Sequence, residues 1–167
     1  RVAAPDTSYT DRLDALVNIL NHNGLVIHTP KRIECIDISN ISGDWATGSL
    51  VVFTDGVPDT REYRRFRIKI SGTPNDVAMM REVILRRFRH PEWPTPDLLV
   101  VDGGKSQVKA AQHALSFAIP IIGLAKRFEE IVIPFRDSFH SVLLVRSSPA
   151  LHLLQHIRDE AHRFAKR

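Results

Sequence analysis

The chain has 167 residues and a formal charge of +4, which is enough sequence for one domain that buries its own core. No apolar run approaches the roughly 20 residues of a membrane helix, so we expect no contact with a membrane. The single cysteine, Cys35, excludes an internal disulfide and a cysteine zinc site, and it favours a reducing compartment. Because the sequence begins at Arg1 rather than Met, we expect it to be a fragment of a longer protein.

The first part of the chain changes from helical to strand-like spacing. Apolar residues predict a helix over 11–22, ended by Asn23-Gly24. Strand-like patterns follow at 33–39, 48–53 and 62–70, and the third alternates apolar with basic residues. Because the connections between them are short, we expect an antiparallel meander.

The second part of the chain alternates helices with buried strands. Thr73 and Pro74 predict the start of a helix. The all-apolar run 98–101 predicts a buried parallel strand. Four further elements complete the order: a helix over 105–118, a strand over 119–124, a hairpin from 130–133 and 141–145, and a helix that begins at Ser148-Pro149. These elements predict one mixed α/β domain, a sheet packed by helices.

Three aspartates stand at the ends of predicted elements. Asp37 lies near the end of an apolar strand, where a carboxylate is costly to bury unless it is paired, held by backbone amides or bound to a metal. Asp102 closes the buried strand, where ligands gather in α/β sheets, although it can equally shape the turn. Two such aspartates suit a hard cation such as Mg²⁺. Asp76 fits a simple helix-capping role slightly better than a catalytic one.

The last helix carries His162 on the border between its apolar and polar stripes. Such a histidine can be a plain surface residue, a metal ligand or a proton-transfer group, and spacing alone leaves these alternatives open.

The run Gly104-Lys105-Ser106 invites comparison with a nucleotide-binding P-loop. That loop needs an earlier glycine at the position of Leu99, so an NTPase is disfavoured. Lys105 remains a candidate phosphate contact at a helix N-terminus.

Basic residues form three clusters along the sequence, and each is either a solvated face or part of a nucleic-acid surface. The second also complements the dipole of its helix. The clusters comprise Arg61, Arg64, Arg65, Arg67 and Lys69, then Arg86, Arg87, Arg89 and His90, and finally Lys126 and Arg127.

Several segments carry ordered motifs rather than isolated residues. They read IECIDIS at 33–39, GSLVVF at 48–53, DG at 55–56, YRRF at 63–66, PDLLVVDGGK at 96–105, IGLAKRFEE at 122–130, SPAL at 148–151 and RDEAHRFA at 158–165. In this order they resemble the UvrC family of bacterial excinuclease proteins over about residues 30–167. The resemblance is to the endonuclease domain in the C-terminal half of that family.

The resemblance implies a fold and a set of catalytic residues. The fold is RNase H-like, a mixed sheet with a three-strand antiparallel meander followed by parallel strands, flanked by helices. It occupies residues 30–167, and residues 1–29 form a helical linker. The family's catalytic residues map to Asp37, Asp102 and His162, and more loosely to Asp76, because Val77 replaces an aromatic residue. Asn40 stands where the family often has histidine, so the sequence departs from the family pattern at that position.

The resemblance also implies a divalent-metal-dependent endodeoxyribonuclease. Such a domain makes the single-strand incision on the 5′ side of a DNA lesion in bacterial nucleotide excision repair, as part of the SOS response in the cytoplasm. The implied partners are lesion-bearing double-stranded DNA and a damage-loading UvrB-type helicase, which is met through regions outside this chain.

We expect Asp37 and Asp102 to hold Mg²⁺ or Mn²⁺ through oxygen, with His162 binding the metal or positioning water. The further residues expected to support the site are Lys105, Arg127, Arg65 and Arg67 as DNA contacts, and Glu129 and Glu130 as groups behind the metal ligands.

Three other interpretations compete with a nuclease. A non-catalytic nucleic-acid-binding module of the same fold would tolerate loss of Asp37, Asp102 and His162. An NTPase is disfavoured by Leu99. A structural or protein-interaction domain predicts that the three polar residues lie far apart in space.

Overall fold

The computed structural model describes residues 8–40, 45–70, 75–125 and 129–166, and in these ranges one mixed sheet is covered by helices. The helices are α1 (Ser8–His22), α2 (Asp76–Arg87), α3 (Lys105–Ala114) and α4 (Pro149–Ala165). The strands are β1 (Arg32–Ser39), β2 (Thr47–Thr54), β3 (Val57–Pro58), β4 (Arg64–Arg67), β5 (Leu98–Asp102), β6 (Ile121–Leu124), β7 (Glu130–Phe135) and β8 (Ser138–Leu143). No helix in these ranges is both long and apolar enough to span a bilayer.

The sheet combines an antiparallel half with parallel strands at its centre. Its order is β3-β2-β1-β5-β6-β7-β8, with β4 also paired to β2. Strands β1, β5 and β6 are parallel neighbours, and the remaining pairs are antiparallel. The central strand β5 is buried along its whole length, because helices cover both faces of the sheet.

Alternate residues of β1 point to opposite faces of the sheet and meet different helices. Glu34 faces α2, where it binds Arg87. Asp37 faces α4, where it approaches His162. The face of Asp37 is therefore the α4 face, and α1 packs against α4.

The structure confirms the predicted fold class and most of its elements. The first helix, the antiparallel meander, the buried strand β5, the hairpin β7–β8 and the last helix are all present. Ser148 is the N-cap of α4, and Pro149 is its first residue. The division into a linker (1–29) and a domain (30–167) stays a prediction.

Three local predictions are wrong. Asn75, not Thr73, caps α2, because its side chain accepts a hydrogen bond from Ala78 N; Thr73 and Pro74 lie outside the described residues. Helix α3 ends at Ala114 because Leu115 has an extended backbone. The third strand of the meander is only β4, since a 3₁₀ turn over Thr60–Glu62 precedes it.

Candidate active site

Two carboxylates meet where parallel strands β1 and β5 lie side by side. Ile36 pairs with Val101, so the next residues, Asp37 and Asp102, are neighbours on the α4 face. Both aspartates are largely buried, at 8% and 9% exposure. Their position at the carboxyl end of β5 follows from the apolar run that precedes Asp102.

Helix α4 adds an imidazole to this pair. His162 Nε2 donates a hydrogen bond to Asp102 Oδ2 at 2.7 Å and lies 3.8 Å from Asp37 Oδ2. One ligand atom from each of the three residues lies within 4.8 Å of the others. Unlike the aspartates, the His162 side chain is 46% exposed. It faces a cleft of about 470 Å³ that all three residues line.

The amphipathic character of α4 fixes where His162 points. Leu154, Ile157 and Ala161 are buried against β1 and β2, as their helical spacing predicts. His162 follows Ala161 at the edge of this buried stripe, which turns its ring toward the strand ends.

Arg158, which the sequence reasoning did not single out, lines the same cleft. Its Nε lies 3.6 Å from Asp102 Oδ1, and its Nη2 donates to the backbone oxygen of Ala125 at 2.7 Å. The spacing of four residues between Arg158 and His162 puts both on one face of α4 and was the available signal.

The donor set fits a divalent cation. Two carboxylates and an imidazole are common ligands for Mn²⁺, and carboxylate oxygens suit Mg²⁺. Asp102 Oδ1 is a buried oxygen without a hydrogen-bond partner, so the site holds an unused acceptor. Two other buried polar side-chain atoms of the described residues also have no hydrogen-bond partner, namely Arg158 Nε and Ser49 Oγ.

Similarity to known proteins agrees with the motifs quoted above. Residues 23–165 match the family described as UvrC RNAse H endonuclease domain. The chain belongs to this family. UvrABC system protein C of Gloeobacter violaceus is 50% identical over 148 residues, covering 81% of this chain and 23% of the relative. The Treponema pallidum protein of the same name is 51% identical over 142 residues, covering 81% of this chain and 20% of the relative. The chain therefore spans about a quarter of the length of these curated relatives.

Solved structures support the fold of this UvrC-family domain. Endonuclease V of Ciona intestinalis superposes with a TM-score of 0.52 at 9% identity, covering 98% of this chain and 99% of that one. Human ENDOV gives a TM-score of 0.51 at 13% identity, covering 82% of this chain and 85% of that one. At these identities the likeness concerns the fold alone, which is RNase H-like.

Asp76 reaches the rim of the site from the other side. It is the first residue of α2 and lines a cavity of about 200 Å³ with Asp37, Asn40 and Asp102. It is exposed and is not part of the three-residue cluster. The structure thus brings Asp76 close without joining it to the other three, and its place at a helix N-terminus also suits its charge.

A polar cluster in this UvrC-family domain fastens the end of α4 to the sheet. Tyr63 Oη donates to Glu160 Oε1 at 2.7 Å, and Arg163 donates to both oxygens of Glu160. The hydrogen bonds from Arg163 and then Tyr63 outweigh the effect of burial and lower the pKa of Glu160 to about 2. Burial, followed by the bond to Glu160, raises the pKa of Tyr63. Because these residues bracket His162, they help to fix its position.

Burial and the two site aspartates also raise the pKa of the single thiol, Cys35. Cys35 lies on β1 two residues before Asp37 and is fully buried. Burial is the main reason that its pKa is raised, and the nearby charges of Asp102 and Asp37 add to the effect. The thiol is therefore protonated and inert at neutral pH.

Two of the predicted DNA contacts, Arg65 and Arg67, are exposed residues of β4. Ser49 pairs with both Asp37 and Arg65, so Arg65 lies on the α4 face, and Arg67 shares that face. Arg65 Nη2 donates to Phe164 O at 2.6 Å, at the end of α4. Within the described ranges neither arginine pairs with a carboxylate.

The remaining basic candidates that the structure describes differ in solvent exposure. Lys105 is exposed at the first position of α3. Arg127 lies outside the described residues. From the second basic cluster, Arg87 is fully buried against Glu34 and is unavailable to DNA.

Glu129 and Glu130 lie beyond Arg158 rather than beside the aspartates. They line a second cavity, also about 200 Å³, whose wall includes Arg158. Glu129 Oε1 lies 3.7 Å from Arg146 Nε.

Proposed function

We propose that this domain is a divalent-metal-dependent DNA endonuclease that makes the 5′-side single-strand incision in bacterial nucleotide excision repair. The observation that carries the proposal is the convergence of Asp37, Asp102 and His162 in one cleft. Similarity to the UvrC RNAse H endonuclease domain supports a nuclease role, and the relatives' name, UvrABC system protein C, supports action on DNA within that system.

The three residues have separate roles in this proposal. Asp37 and Asp102 hold the cation, Mg²⁺ or Mn²⁺, through carboxylate oxygens, and His162 binds it through nitrogen or orients the attacking water. When bound, such a cation lowers the pKa of water and offsets the charge that develops on the phosphate. The burial of both aspartates reduces competing hydration, while the exposed ring of His162 leaves one side open to substrate. Asp76 contributes negative charge at the rim.

Exposed cations around the cleft suit the phosphates of a DNA strand. We assign this contact to Arg65, Arg67 and Lys105, and to Arg127, which lies outside the described residues. Arg65 and Arg67 have no carboxylate partner among the described residues, so their charge is available to phosphate. We assign Glu129 and Glu130 a supporting role through the wall that they share with Arg158.

Competing functions account less well for the geometry. A structural domain predicts that Asp37, Asp102 and His162 lie far apart, and their ligand atoms lie within 4.8 Å. A non-catalytic binding module has no need for two buried carboxylates beside an imidazole. We further propose lesion-bearing double-stranded DNA as the substrate and, as partner, a UvrB-type helicase met through regions outside this chain. The proposed setting is the SOS response in the cytoplasm.

The test is nicking of supercoiled plasmid with Mn²⁺ or Mg²⁺. We expect the parent chain to nick and the variants Asp37→Ala and His162→Ala to lose about 100-fold or more. Asp137→Ala and His113→Ala are matched controls, because both residues are exposed and lie away from the cleft.

Equal nicking by the parent chain and the site variants would refute the site. If the isolated chain is inactive, the full-length protein with its partners is assayed on an end-labelled lesion duplex. There, a 5′ incision that survives Asp37→Ala would refute the proposal.

A further inference from the structure

Helix α4 presents two side chains to one carboxylate. His162 Nε2 bonds to Oδ2 of Asp102 at 2.7 Å, and Arg158 Nε faces Oδ1 at 3.6 Å. Both Arg158 Nε and Asp102 Oδ1 are buried, and neither has a hydrogen-bond partner. Each therefore depends on the other for electrostatic compensation, because water does not reach them.

The Arg158 guanidinium is held in place rather than free to move. Its Nη2 donates to Ala125 O at 2.7 Å, directly after β6. Asp102, on β5, pairs with Leu124 of β6, so the anchor Ala125 is the residue after the strand partner of Asp102. The Arg158 side chain is only 23% exposed. A planar guanidinium that is anchored to Ala125 O through Nη2 and faces Asp102 through Nε holds the carboxylate in one orientation.

Charge gives Arg158 a second role. Asp37 and Asp102 are adjacent, buried carboxylates. Among the described residues, Arg158 is the one arginine or lysine within ion-pair distance of Asp102. Without a cation in the cleft, its guanidinium is the permanent positive charge that the described residues place within 4 Å of Asp102.

We propose that Arg158 is a positioning residue: its guanidinium orients the Asp102 carboxylate toward the cation and balances its charge when the cation is absent. The inference rests on the proposed function for its catalytic meaning, but its two parts can be measured without catalysis. Arg158→Lys keeps the charge and loses the planar fork, whereas Arg158→Gln loses both.

The orientation part is tested by Mn²⁺ binding to the DNA-free chain, followed by electron paramagnetic resonance. We expect Arg158→Lys to bind Mn²⁺ about 10- to 100-fold more weakly, since the carboxylate is no longer held although the charge is unchanged. The exposed Arg61→Lys is the matched control and should bind Mn²⁺ like the parent chain. Parent-like Mn²⁺ affinity in Arg158→Lys would overturn the positioning role.

The charge part is tested by thermal unfolding in EDTA and in saturating Mn²⁺. We expect Arg158→Gln to lower the Tm in EDTA and the deficit to shrink in Mn²⁺, because the cation then balances the carboxylates. Arg158→Lys should show a much smaller deficit in EDTA. A Tm deficit of Arg158→Gln that is the same in both conditions would contradict the charge role, since a merely structural contact does not respond to Mn²⁺.

Cleavage provides an independent readout. At saturating Mn²⁺ we expect both variants to nick plasmid about 10- to 100-fold more slowly than the parent chain, with unchanged DNA affinity. Nicking by Arg158→Lys at the rate of the parent chain would contradict the proposal that the planar guanidinium group is needed. If the parent chain and the full-length protein both fail to cut DNA, the proposed function fails, and the Mn²⁺ and Tm measurements still decide the role of Arg158.

Discussion

The fully buried Glu34 makes a strong prediction about stability. It lies on the face of β1 opposite the candidate active site and accepts three hydrogen bonds from two arginines. Arg87 Nε and Nη2 bind its two oxygens at 2.7 Å each, and Arg32 Nε binds at 2.8 Å. We predict that Arg87→Met, which keeps much of the side-chain volume, severely destabilises the domain.

The magnitude follows from what Arg87→Met leaves behind. Two charge-assisted hydrogen bonds to Glu34 and one hydrogen bond to the backbone oxygen of Pro94 are lost. Glu34 remains at 0% exposure, and among the described residues the buried Arg32 is its remaining ion-pair partner. Breaking one side of a buried pair costs about 3–5 kcal/mol, because the remaining charge stays uncompensated. Against a typical total stability of about 5–15 kcal/mol, that loss is large enough to unfold part of the population.

Urea unfolding at pH 7 measures the effect, and two variants serve as controls. Glu34→Met combined with Arg87→Met removes both charges and should recover most of the loss, because no carboxylate is left buried without its partner. Arg61→Gln removes an exposed ion pair and should change the free energy of unfolding by less than about 0.5 kcal/mol. If Arg87→Met alone lies within about 1 kcal/mol of the parent chain, the reasoning is wrong.

Three further predictions concern the end of α4, the packing of β6 against the turn after β5, and the proposed DNA contacts. Because the pKa of Glu160 is lowered to about 2 from 4.5, its contribution is present above pH 4.5 and is lost as the pH falls toward 2. Glu160→Gln should therefore lower the Tm at pH 7, by a margin that narrows toward pH 3; a pH-independent margin would contradict this. Gly123→Ala would put a Cβ 2.5 Å from a backbone oxygen in the turn between β5 and α3, so urea unfolding should show a loss of about 1–3 kcal/mol. Gly104→Ala is the control, because a Cβ added there has no heavy atom within 4 Å. Equal losses of unfolding free energy in the two variants would refute the steric argument. Arg65→Gln should weaken binding to any DNA duplex and reduce the slope of log affinity against log salt concentration by about one phosphate contact. The exposed Arg136→Gln is the control and should leave both the affinity and this slope unchanged. An unchanged slope in Arg65→Gln would show that Arg65 does not contact DNA.

Local patterns in the sequence were sufficient to place Asp37 and Asp102 near strand ends, whereas their catalytic role was inferred from the resemblance to the UvrC family. The apolar run before Asp102 predicts a buried strand that ends there, and the strand-like spacing around Asp37 predicts a second strand end. The spacing of apolar residues and the position of turn residues decide where a strand ends, and both can be read within a few positions of the strand end. The parallel pairing that brings Asp37 beside Asp102 was expected only from the general behaviour of α/β sheets.

Long-range contacts could not be predicted in the same way. Spacing put His162 on the border of its helix but left its role open, since its contact with Asp102 joins residues 60 positions apart. The spacing of four residues from His162 puts Arg158 on the same face of α4, but it does not predict the pairing with Asp102, which depends on how α4 docks on the sheet. The predicted end of α3 failed for a related reason: Phe117 leaves the helix and meets the ring of Phe88 edge-on, a contact that helical periodicity does not encode.

The distribution of Asp37, Asp102 and His162 over β1, β5 and α4 has a consequence for biosynthesis. A growing chain acquires both carboxylates long before it acquires the imidazole, because His162 follows Asp102 by 60 residues. Any chemistry that needs all three groups is silent in a nascent or partly folded chain. The proposed cutting of DNA therefore requires that α4 has docked on the sheet.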